Sequence, residues 1–124
     1  MGAAMAKITF EDISKGNDIV MKFTWTLTTA DHTGDAIEGR FAEFADRTFY
    51  FLGTWGGATA AVEGGDGTTY LPLTDPQGTA ISKTADAIEA VTEVPEYSRP
   101  RLSTVGVGAS IVATCIARRG FRRA

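Results

Sequence analysis

At 124 residues, 44% of them hydrophobic and 22% charged, the chain is sized for one domain that buries roughly two thirds of its unfolded surface. A net charge of −3 argues against general nucleic-acid binding, which needs a face with surplus Lys and Arg. The single cysteine, Cys115, excludes an intrachain disulfide framework and fits synthesis in a reducing cytoplasm. Residues 1–7 lack the basic start and apolar core of a signal peptide, and no apolar run approaches the roughly eighteen residues that span a bilayer, so a soluble protein with no membrane partner is expected.

In chain order, residues 1–17 alternate only loosely, with Ile8, Phe10 and Ile13 set among charges. They read as an extended N-terminal arm that folds on contact with a neighbouring subunit. The folded domain is expected over residues 18–119. Ile19, Met21, Phe23, Trp25 and Leu27 alternate with Val20, Lys22, Thr24, Thr26 and Thr28, a period of two that predicts a strand with an aromatic core face and a threonine face toward water or a partner. Residues 48–55 are apolar at both parities, which predicts a central strand covered on both sides. A glycine hinge, Gly56-Gly57, then returns the chain into a strand over residues 58–63. Gly64-Gly-Asp-Gly67 supplies a tight turn into a strand over residues 68–73.

Asp75-Pro-Gln-Gly78 has the Pro and Gly placement of a type I turn, with another strand starting near Thr79. Residues 85–91 are too short to hold a helix alone and read as a strand or irregular edge. Pro95 and Pro100 confine Glu96-Tyr-Ser-Arg99 to edge or extended geometry. The last strand covers residues 109–117, with Ile111, Ala113 and Cys115 on one face and Val112, Thr114 and Ile116 on the other. Arg118, Arg119, Arg122 and Arg123 follow, and residues 120–124 form a basic tail suited to docking on an acidic neighbour. Turns recur roughly every eight to twelve residues, so the expected fold is all-β: an antiparallel β-sandwich, jelly-roll-like or a partly closed barrel.

The chemistry-bearing residues recommend no catalytic site. The only histidine, His32, lies in the polar turn Ala30-Asp-His-Thr-Gly-Asp35, and Cys115 sits mid-strand in an apolar run that disfavours a thiolate. One His and one Cys cannot supply the ligands of a zinc site. Asp66 and Asp75 offer loop oxygens to calcium but lack the Asp-x-Asp spacing that gathers carboxylates around one ion. No carboxylate pair is singled out as a glycosidase dyad, and the glycines at 53, 56 and 57 do not spell a phosphate loop. No cofactor is expected. Trp25 and Trp55 read as core, and Tyr70 and Tyr97, beside turns or prolines, as surface aromatics able to anchor an interface.

The phrases Ala45-Asp-Arg-Thr48, Gly53-Thr-Trp-Gly-Gly-Ala58, Glu63-Gly-Gly-Asp-Gly-Thr68, Leu73-Thr-Asp-Pro-Gln-Gly78, Tyr97-Ser-Arg-Pro-Arg-Leu102 and Ala117-Arg-Arg119 cover most of residues 19–119. On them the chain resembles small virion proteins from the head and neck regions of tailed bacteriophages. The resemblance implies a β-sandwich structural protein, made in the host cytoplasm, that decorates and cements the capsid surface. It implies the major capsid protein and copies of itself, as a homotrimer, for partners, and no catalytic residue. A tail, neck or head-completion protein and a carbohydrate-binding module on the virion surface are the alternatives. The expected interface residues are Ile8, Phe10, Ile13, Tyr70, Tyr97, Arg118, Arg119, Arg122 and Arg123.

Overall fold

The alternating segments become strands in the computed structural model, which describes residues 5–16, 19–41 and 43–119. In chain order these are β1 (Met5–Ala6), β2 (Thr9–Asp12), β3 (Val20–Thr28), β4 (Thr33–Gly34), a 3₁₀ turn (Gly39–Phe41), β5 (Asp46–Thr54), β6 (Thr59–Gly65), β7 (Tyr70–Pro72), β8 (Ser82–Lys83), β9 (Ala87–Ala90), β10 (Tyr97–Thr104) and β11 (Ser110–Arg118). They form a sandwich of two sheets. One is five-stranded in the order β2-β3-β11-β5-β9; the other is six-stranded, β1-β4-β10-β6-β7 with β8 also on β6.

From β3 to β6 each strand crosses to the opposite sheet, and from β8 to β11 the chain does so again. The order β3-β11-β5-β9 facing β4-β10-β6-β7 is the double Greek key of a jelly roll. The two sheets remain separate ladders, which decides between the jelly roll and the partly closed barrel.

Period-two patterning determines what is buried. The inner faces of β3, β5 and β11 contribute Phe23, Trp25, Leu27, Phe49, Phe51, Ile111, Ala113 and Cys115, and those of β6 and β10 add Ala60, Val62 and Leu102. Trp25 stacks on Phe49 with ring centroids 5.9 Å apart. Its indole N–H donates to the carbonyl of Asp35 at 2.8 Å, so the ring enters the core without an orphaned donor. Each buried large apolar side chain contributes on the order of 1.5–3 kcal/mol.

Two sequence expectations change, at β5 and Trp55, while the Gly56-Gly57 hinge joins strands of different sheets: β5 lies in one and β6 in the other, and the glycines turn the corner between them. Gly56 has φ 56°, and the carbonyl of Val107 occupies the space of a side chain there. The N–H of Val107 in turn donates to the carbonyl of Gly56 at 2.9 Å. β5 is central but covered on one side only, with Phe49 and Phe51 inward and Leu52 exposed. Trp55 is half-buried rather than core.

Pro100 sits within β10, opposite Val62 of β6. The N–H of Leu102 and the carbonyl of Ser98 bond toward His32 and Ile37, so by alternation the donor that Pro100 lacks lies on that sparsely paired side. The ladder to β6 therefore loses no donor at Pro100; its one irregularity falls between Leu102 and Thr104. Gly34 makes room for the proline ring: a Cβ there would stand 2.8 Å from Pro100 Cδ.

The N-terminal segment is extended and straddles the sandwich. β1 pairs parallel with β4, β2 pairs antiparallel with β3, and every side chain of β2 is exposed.

Candidate interaction surface

Most of the interface residues anticipated from sequence gather at one end of the sandwich. The ladder Tyr97↔Gly65↔Tyr70 marks that end on the six-stranded sheet, and Arg118↔Asp46 and Arg118↔Val20 mark it on the other. Arg47 ties the two sheets together there. Its guanidinium is buried and donates to Ser98 Oγ at 2.7 Å and to the carbonyls of Phe44 and Phe41 at 2.8 and 2.9 Å. Burial lowers its pKa from the usual arginine value. Those bonds hold Phe41 and Phe44 against the end of the core.

The arm and the arginines meet on this frame. Ile13 donates its N–H to the carbonyl of Val20, and Arg119 donates its own to the carbonyl of Ile19, both at 3.0 Å. Arg119 also forms an exposed ion pair with Glu43 at 3.4 Å. Phe10, 51% exposed, packs edge-on against Phe41 with centroids 5.5 Å apart, and the Arg40 guanidinium lies 4.6 Å from the Phe41 ring. Ile8 and Phe10 help to line a cavity of about 320 Å³ with Phe23, Ile37, Arg40 and Phe41. Arg122 and Arg123 lie outside the described residues.

Tyr70 and Tyr97 flank Gly65 across three strands of the six-stranded sheet. Arg99 lies over the Tyr70 ring, 3.7 Å from its centroid. Glu63, itself nearly buried, accepts from Arg99 and Arg101 at 3.1 Å. This outer face is thus a cross-strand charge network with an aromatic lid.

The other sheet presents an outer surface that sequence reasoning did not include among the interface residues. Leu52, Val112 and Ile88 are 51%, 41% and 63% exposed. Register joins them: Val112 stands opposite Leu52 and Thr26, while Tyr50 stands opposite Thr114 and Ile88. Toward the arm end this face bears Glu11 opposite Lys22 and Arg118 opposite Asp46; its centre is uncharged. The signal lay in the apolar second faces of residues 48–55 and 109–117.

The remaining polar groups serve the turns. Asp66 accepts from the N–H groups of Thr69 and Thr68, which lower its pKa in that order of weight, and Asp75 accepts from Gln77 and Thr79. Asp86 accepts from the Trp55 indole at 2.8 Å and from Gly53 N–H at 3.1 Å, and these bonds hold its carboxyl below the usual range. His32 flanks β4, its carbonyl receiving Leu102 N–H. Cys115 is fully enclosed, and burial pushes its thiol up to about 12. Among the described residues no group of three or more His, Cys, Asp or Glu is placed to hold a metal ion, and no helix is long and apolar enough to cross a membrane. No protein-family model, curated protein or solved structure matches the chain.

Proposed function

We propose that this protein is a structural component of a tailed-phage virion that decorates and stabilises the capsid, docking on the major capsid protein through the end where arm and arginines meet. The observation that carries this reading is the convergence of Phe10, Ile13, Arg118 and Arg119 on one end braced by Arg47. An exposed aromatic beside arginines has the composition of an interface anchor. Many copies on a shell multiply individually modest contacts through effective concentration. A jelly roll suits this work because it offers a stiff body with free edges and loops.

The test is cosedimentation with heads of the encoding phage assembled without this protein. Binding is expected, and Phe10→Ser combined with Arg119→Glu should weaken it at least about tenfold, the scale of an interface anchor. Wild-type protein that ignores heads and binds tails or the neck would move it to the alternative virion role. The carbohydrate-binding alternative is disfavoured by Arg99, whose guanidinium already covers a face of Tyr70.

A further inference from the structure

We infer that the cavity beneath the N-terminal arm is a receptor for one basic side chain, and that its occupant is a lysine presented by a partner protein. The inference adds a site to the arm end and does not depend on which virion part that partner is. At about 320 Å³ the cavity lies at the small end of ligand pockets, roughly 300–1,000 Å³, so it suits a side chain better than a large cofactor. Its walls are aromatic. Phe10 faces Phe23 across the β2–β3 ladder and Phe41 completes the group, with ring centroids 6.1, 5.5 and 5.2 Å apart. The faces of such rings attract cations, and the Arg40 guanidinium already lies 4.6 Å from the Phe41 centroid and 5.7 Å from that of Phe10.

Charge selects the sign of the occupant. Of the charged residues lining the cavity, Arg40 and Glu38 neutralise each other at 2.8 Å. Asp35 has no ion pair among the described residues, where its carboxylate accepts one hydrogen bond, from Ile8 N–H at 3.3 Å. Beyond the lining, Asp12 stands on the Phe10 face of β2, and Glu96 lies against Gly39. Lys7, beside Ile8, and Arg47, bound to the Phe41 carbonyl, oppose them. Glu11 and Lys22 stand opposite one another on the other face of the ladder. Three carboxylates against two cations leave the surroundings negative, and Asp35 is the uncompensated group inside.

That carboxylate is fixed in advance. Asp35 donates its N–H to the Ala6 carbonyl at 2.9 Å, and its own carbonyl accepts the Trp25 indole at 2.8 Å, so a partner spends little on ordering it. With one oxygen engaged by Ile8, the carboxylate offers a single acceptor point. A compact ammonium matches that point, whereas a guanidinium fork gains most from both oxygens. The alkyl stem of lysine then packs along the rings while its head reaches Asp35.

The test is an amide NMR titration of the full chain with Nα-acetyl-lysine N-methylamide and with its norleucine counterpart, which keeps the stem and lacks the charge. The lysine probe should shift the amides of Ile8, Asp35 and Ile37 and bind at least about fivefold tighter, the scale of cation–π and ion-pair attraction at a partly open site. Asp35→Asn, which keeps an acceptor for the Ile8 N–H, should bring the two probes level. If that variant fails to fold, Glu38→Lys at an exposed position should do the same. Equal binding of the probes by wild type, or a lysine preference that survives these variants, would overturn the inference. Spermidine binding more tightly than the lysine probe would also overturn it, by making the ligand a free polyamine. Lysine selectivity in a protein that ignores phage heads would support the site and remove only the capsid reading; heads bound without that selectivity would do the reverse.

Discussion

The two outer faces of the sandwich differ in how they meet water. On the six-stranded sheet, Glu63 is held between Arg99 and Arg101, and Arg99 in turn covers Tyr70. Every charge on that ladder has its partner within the chain. On the five-stranded sheet, Leu52, Val112 and Ile88 stand in register with nothing over them among the described residues. One face contributes to the stability of the single chain, and the other leaves apolar side chains open to solvent.

Substitution at Glu63 should show the largest effect on the folded chain. Glu63→Ala leaves two neighbouring guanidinium groups without their shared carboxylate, at a cost of about 2 kcal/mol, below the full penalty of a broken buried pair because both arginines are partly exposed. Urea unfolding with an unchanged midpoint would mean that the charge network is ornamental, and the contrast between the faces would fail.

Strand β11 belongs to both the core and the open face, and Cys115 reports on its inner side. The thiol ionises near 9.0 when unfolded and at about 12 when folded. Its contribution is therefore complete below pH 9 and is lost as pH rises from there toward 12. At pH 10 the wild type should have lost about 1.4 kcal/mol more stability, relative to pH 8, than Cys115→Ala. Equal losses in the two proteins would place the thiol in contact with water and open the core beneath the face.

The smallest effect is expected at Leu52. Leu52→Thr removes an exposed side chain from the outer face and should move the stability of the single chain by no more than about 0.5 kcal/mol. A loss above about 1.5 kcal/mol in the isolated monomer would show that the face is already packed within the chain.

Local features of this fold were legible in the residues. The strand from Val20 to Thr28, the Gly64–Gly67 turn and the edge strand near Ile88 follow from alternation and turn chemistry, which act over a few neighbours. What was hidden depends on partners distant in sequence. Residues 48–55 are apolar at both parities, and from sequence this looks the same whether the second side is covered by the chain itself or left open. Gly56-Gly57 has the composition of a hairpin turn and of a corner between sheets alike; only the position of Val107 selects the corner. At the arm end, Phe10 and the arginines were visible as an exposed aromatic and a charge run. Arg47 was not, because nothing local distinguishes an arginine that will be buried against Ser98 from one that stays in water.

The place of β11 between β3 and β5 also sets an order of events in folding. Thr28 pairs with Ser110, and Thr54 pairs with that same residue, so the middle of the five-stranded sheet cannot form from neighbouring segments. Until β11 arrives, β3 and β5 each expose an unpaired edge and an aromatic face, and closing such distant pairs puts folding on the slow side for a domain of this size. On the ribosome, the hydrophobic strands of the first half must wait for one synthesised long after them. Partial chains that end before Ser110 are thus the species most exposed to aggregation.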